Sequence, residues 1–323
     1  MKIKFLVTVL MLLIFSTLTF AGEVDDRFKT AQKYLRDNNE EVSTSVEEVF
    51  TKDYIIVVGE GSPKKGSVKG QKRLTALTAA KVVAQRHLAE MISGVAIVSE
   101  TTVQDSELVS DTIKSAGTGL VKGAHIVVQE WNEAEETALV VMKIGTKGPR
   151  SISATMYEKI LDEPTIKKEL NQPVYVPPPV EPTPTKPAPV ATAETPKADP
   201  TTKQKEVVNA APYDGLIVDA TEENFQPALI NRIFSMAGEV LYDPAKISQK
   251  VLIEQGCGEY TNNIDKAKAA LGTRGVSNPL VLKASGIQSK SDLKVSDADA
   301  AKIYAANQST GFIAKAQVAF VLK

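Results

Sequence analysis

The stretch 59–67 reads Gly-Glu-Gly-Ser-Pro-Lys-Lys-Gly-Ser and lies between an apolar run and a strong helical pattern. A phosphate loop would sit in such a place, because backbone amides and a helix N-terminus can cradle an anion there. The spacing fits neither nucleotide pattern. A triphosphate loop needs Lys directly after its second glycine, and Ser67 stands there. A dinucleotide loop needs a third glycine where Lys64 sits. Nucleotide is therefore not expected as a ligand. Five cations remain, Lys64, Lys65, Lys69, Lys72 and Arg73, with no acid between them. They form a candidate anion-binding site for a cell-wall or lipid phosphate.

Other chemistry is sparsely provided. His87 and His125 are the two histidines and Cys257 is the one cysteine, which excludes a four-ligand Cys/His zinc site and a disulfide within the chain. Around His87, Leu88 and Met91 occupy the positions that a zinc protease gives to Glu and a second His. No Gly-x-Ser-x-Gly element occurs. Asp105, Glu107, Asp111, Asp219 and Asp243 are available carboxylates, and a pair of carboxylates can hydrolyse a glycosidic bond, but nothing in the sequence brings two together. The expectation is a protein that is not an enzyme and carries no cofactor or metal. A cryptic cell-wall hydrolase is kept as an alternative. Trp131, the single tryptophan, is a candidate interface residue, placed by strand alternation on one face with Val127 and Gln129. Cys257 reads as a small buried hydrophobe.

These residues must be held by elements that the pattern predicts. Residues 25–38 read as a short amphipathic helix with Phe28, Ala31 and Leu35 on one face. Residues 54–59 are an apolar strand. Residues 71–93 carry Leu77, Ala80, Ala84, Leu88 and Met91 at helical spacing, closed by Gly94. A strand at 95–98, a short helix at 106–115, and a hairpin of strands 124–131 and 137–144 follow. Further along, strands are expected at 216–220, 280–284 and 316–322, a hairpin at 233–242, and helices at 263–271 and 298–307. Ser296 and Asp299 form a capping box for the last helix. The fold class is α+β, with helices on a mostly antiparallel sheet in each of two small domains.

The chain has 323 residues, and ten of its 17 prolines fall within 172–208. Proline removes amide donors, and this stretch has too few large apolar residues for a core. It reads as a linker between a domain at 22–171 and a domain at 209–323, long enough to tether the two halves to different partners. At the start, Lys2 and Lys4 precede an apolar run, and Phe20-Ala21-Gly22 supplies small residues at its exit. These are the parts of a secretory signal peptide, cleaved after Ala21. With 38 basic and 39 acidic residues the net charge is -1, so no global field captures nucleic acid.

The Ala-rich helix Ala76-Leu77-Thr78-Ala79-Ala80, its continuation Leu88 to Val95, and Gly123-Ala124 to Trp131 followed by Leu139-Val140-Val141 carry a resemblance. Over about residues 53–145 the chain resembles the domain shared by the Lpp-twenty outer-membrane lipoproteins and the N-terminal region of the flagellar ring protein FlgT. The second half, with Tyr213 to Ala220, Asn278-Pro279-Leu280 and Ser296 to Ala300, is similar to a region that follows this domain in other exported bacterial proteins. The resemblance implies a periplasmic or outer-membrane location, no catalysis, and assembly or scaffolding with other envelope proteins, flagellar in part of the family. The chain departs from the lipoproteins in having no cysteine at the signal junction to carry lipid. Contact with peptidoglycan, the outer-membrane surface or another anionic envelope polymer through the basic run is the alternative.

Overall fold

The computed structural model describes residues 24–99, 101–103, 111–178 and 212–323. The signal segment and most of the Pro-rich stretch lie outside the described residues. The architecture is α+β. The first half contains α1 (Lys29–Asn38), α2 (Val46–Lys52), β1 (Tyr54–Gly61), α3 (Lys69–Gly94), β2 (Ala96–Val98), β3 (Thr101–Thr102), α4 (Asp111–Gly123), β4 (His125–Asn132), β5 (Thr137–Gly145), α5 (Ile152–Asp162) and α6 (Pro164–Leu170). The sheet β1-β5-β4 is antiparallel throughout. Both its faces are covered, which is why 54–58 is apolar without alternation. On one face lie Ala76, Ala80, Ala84 and Leu88 of α3, all fully buried. On the other, Phe28, which precedes α1, and Ala31 and Leu35 of α1 pack on Ile56, Val128, Leu139 and Val141.

Of the helix expected at 106–115, residues 106–110 lie outside the described residues; the rest falls in α4, which runs on through Gly117 and Gly119 to Gly123. Gly117 is not a breaker here. A Cβ on it would meet Val103 at 3.3 Å and Ile92 at 3.6 Å, so glycine lets α4 close on α3. Helices α2, α5 and α6 were not anticipated. α2 and α5 are entered through Ser45 and Ser151, whose hydroxyls accept from the amides of Glu48 and Ala154.

The second half contains β6 (Gly215–Asp219), β7 (Arg232–Phe234), β8 (Val240–Tyr242), α7 (Gln249–Gln255), β9 (Glu259–Thr261), α8 (Ile264–Thr273), β10 (Pro279–Lys283), β11 (Gly286–Ser289), β12 (Asp292–Lys294), α9 (Asp297–Thr310) and β13 (Val318–Val321). Here the antiparallel expectation is corrected in one respect. The sheet β10-β6-β13-β9 is parallel at every pairing. Helices α8 and α9 supply the crossovers that parallel neighbours require. Ile217, Ala319 and Val321 face Ala267 and Leu271 of α8, while Leu216, Val218, Val318 and Phe320 point into the main core. A second sheet, β11-β12-β7-β8, is mixed.

The two halves do not stand apart on a tether. One contiguous set of buried apolar residues runs from Val57, Leu88 and Ile97 to Tyr242, Ile303 and Phe320. The amides of Leu229 and Ile230 donate to the carbonyls of Ala96 and Ile97 at 2.9 and 2.8 Å. The expected start of the linker is corrected as well. Val174 bridges Val240, the Tyr175 amide donates to the Val240 carbonyl at 3.0 Å, and Tyr175 is buried. Residues 173–175 therefore join the edge of the mixed sheet. Composition concealed this because the pairing needs only alternate backbone groups, which Pro173 leaves free.

Candidate functional site

The glycines of 59–67 have a structural task. A Cβ on Gly59 would lie 2.3 Å from the Ala80 carbonyl oxygen, and one on Gly61 would lie 2.3 Å from the Ala80 amide nitrogen. Gly59, Gly61, Ala76, Ala80 and Ala84 let the backbone of α3 lie directly on β1. The same Ala-rich segment that reads as a family pattern is thus a close-packing surface.

The five cations of the basic run are placed at the start of α3 but do not converge. Lys64, Lys65, Lys69 and Arg73 are exposed, and Lys72 is half-buried with its ammonium 2.5 Å from Glu136. Folding brings the acidic β4–β5 turn against the run, a neighbour that sequence order hides. Trp131 is half-buried and packs on the main core opposite Ala138. The expected shared face is corrected: a β-bulge between Ile126 and Val128 turns Val127 to the α1 side, away from Trp131.

The seam holds a buried polar network. Arg232 is doubly bonded to Asp292, at 3.1 Å from Nε and 2.6 Å from Nη2, and its Nη1 donates to the Glu169 carbonyl at 3.0 Å. The Ser99 hydroxyl bonds both Glu169 and Asp292. The ion pair is almost wholly desolvated, so its partners are needed to offset the cost of burial. Nearby, Lys147 reaches Asp53 at 2.8 Å and Glu259 at 3.0 Å, tying the end of β5 to β9. Cys257 lies among Tyr157, Tyr242 and Tyr260, with its sulfur 2.9 Å from the Tyr260 hydroxyl. Burial pushes the thiol up, so it holds its proton and packs rather than reacts. Burial likewise raises all three tyrosines well above their ordinary range. Among the described residues, no group of three or more His, Cys, Asp or Glu is placed to hold a metal.

The surface best suited to a partner is on the outer side of α3. Leu74, Thr78, Val82, Gln85, Ala89 and Ile92 follow one another at steps of three and four, one stripe of the helix flanking its Ala-rich face. Leu74 is 67% exposed and Val82 52%, while Ile92 is buried at the other end. The stripe runs about 27 Å at 1.5 Å per residue. α4 meets only its C-terminal end. The two helices leave a groove of about 390 Å³ floored by Ala89, Ile92, Val103 and Val121. The charged residues lining it are Lys114 and Lys122, both from α4. Neither lysine has an ion-pair partner among the described residues. Neither the stripe nor the groove was picked out from the sequence. The helical period was read only for the core face, and the groove depends on where α4 crosses.

Residues 215–323 match the model of a family described as Treponema pallidum Tp0624, second domain. The match opens at the first residue of β6 and runs through β13, so it takes in all of both second-half sheets. The second half is therefore similar to a defined domain of that protein. No curated protein matches the chain.

Proposed function

We propose that this is an exported, non-enzymatic cell-envelope protein that acts in assembly or scaffolding by binding another protein. The observation that carries the reading is the outer stripe of α3, where Leu74 and Val82 are exposed and lead into the apolar α3–α4 groove. Exposed large aliphatic residues in line with a lysine-rimmed groove are what a protein-binding surface presents. The signal-like residues 1–21 and the resemblance of residues 53–145 to the Lpp-twenty and FlgT domain support the envelope location, and a flagellar association is the finer form of the same reading. The fused seam adds a rigid body on which such a surface is held fixed. The four exposed cations Lys64, Lys65, Lys69 and Arg73 favour a second reading, contact with an anionic envelope polymer.

The test is fractionation followed by capture. The protein should be recovered from the periplasmic or envelope fraction beginning at Gly22, and cross-linked capture there should return one envelope protein in near-equal amount. Recovery from the cytoplasm, or capture of peptidoglycan fragments in place of a protein, contradicts the proposal.

A further inference from the structure

Resting on the reading of a protein-binding surface, the geometry points to one kind of partner: we infer that the α3–α4 groove receives an amphipathic α-helix whose apolar edge is flanked by carboxylates. Three observations lead there. First, the walls are two helices. Gln85 to Ser93 on α3 and Lys114 to Lys122 on α4 each contribute about two turns, roughly 12 Å of groove. A third helix places the ridge of its own side chains into such a groove, and it reads as anchors at i, i+3 or i+4 and i+7. Second, the exposed stripe continues the floor of the groove in register. From Thr78 the steps are 4, 3, 4 and 3, the alternation of a helix–helix seam, so a partner helix in the groove extends onto Val82 and Leu74. Third, charge selects the partner. Lys114 and Lys122 line the groove, and Lys81 and Arg86 stand exposed beside the stripe.

Those cations also argue against the other occupants. A second copy, docking stripe on stripe, would bring Lys81 and Arg86 against their own equivalents, and like charges in an interface are costly. A lipid surface is sought by helices that project bulky apolar and aromatic side chains outward. Here the apolar floor is concave, and the stripe has no aromatic residue.

The experiment uses the chain from Gly22 to Lys323 and three probes. One is an 18-residue helical peptide with leucines at i, i+4, i+7 and i+11 flanked by glutamates. The second is its twin with lysines in place of glutamates, and the third is phosphatidylglycerol vesicles. The glutamate peptide should bind at least about tenfold tighter than the lysine peptide. The double variant Lys114→Glu with Lys122→Glu, at a half-buried and an exposed position of α4, should leave the circular dichroism unaltered and reverse that order. Val82→Glu should weaken the glutamate peptide by about tenfold or more. Amide shifts should map to α3 and α4. Equal affinity for both peptides, no binding below about 1 mM, insensitivity to the lysine reversals, or binding of vesicles in place of the glutamate peptide each overturns the inference. If an envelope protein is still captured one-to-one after these reversals and Val82→Glu, assembly by protein contact stands and the helix-in-groove inference alone falls.

Discussion

The Tyr157 hydroxyl of α5 donates to the Leu229 carbonyl at 2.7 Å, linking the two halves inside a fully buried environment. Removing the hydroxyl leaves a carbonyl that water cannot reach. Tyr157→Phe should lower stability by about 1–2 kcal/mol, read as a shift of the urea midpoint at unchanged slope.

The seam predicts the behaviour of a cut chain. A protease site engineered between Pro187 and Pro200 should give two pieces that co-elute on size exclusion, because they share one core. Separation of the pieces under native conditions would show that the halves are independent.

Asp292 is fully buried and bonded to Arg232. Asp292→Ala strands the guanidinium and should cost about 3–5 kcal/mol in thermal or denaturant unfolding. A loss under about 1 kcal/mol would mean that the pair carries little of the seam.

Gly59 sits against Ala80 and Ala84 with no room for a methyl group, since all three close contacts are backbone atoms of α3. Gly59→Ala should destabilise by about 3 kcal/mol, whereas Gly66→Ala, where a Cβ meets nothing but the φ is +79°, should cost about 1 kcal/mol. This contrast separates packing from turn geometry within one loop.

Asp214 gives a pH signature. Burial raises its carboxyl, but hydrogen bonds from the Ser277 and Asn278 amides and the Ser277 hydroxyl outweigh that and hold it below the usual carboxylate value. A depressed folded value means that the unfolded chain binds the proton first. The stabilisation is fully present above about pH 4 and is lost as pH falls through the folded value. Asp214→Asn should flatten this part of the acid limb of a stability–pH curve and lower the neutral region by a constant amount, with no change in its slope.

Much of the fold was legible where periodicity is strong. The face of Ala80, Ala84, Leu88 and Met91, the hairpin of β4 and β5, and the Ser296 cap with α9 all follow from spacing or capping chemistry in the residues themselves, whereas Ala76 and not Leu77 is the buried residue at the start of that face. The parallel order of the second sheet was not, because apolar runs such as 216–218 and 318–321 are equally apt for either direction, and crossover geometry decides. Pro173–Tyr175 looked like linker because composition reports what cannot build a core, not what can dock on one. Of the site, the basic run was found but not its neighbour Glu136, which is far away in sequence. The α3 stripe escaped notice because Thr78 and Gln85 interrupt its apolar pattern, and its meaning depends on a groove made by a second helix.

The most direct measurement is photo-cross-linking in living cells from single positions on α3. A photoreactive side chain at Val82 or Ala89 should give one discrete adduct with an envelope protein, and the same group at Lys268, on α8 of the second half, should give none. No adduct from Val82 and Ala89, or the same adduct from all three positions, would contradict the proposal that this protein works by binding a partner along the outer face of α3.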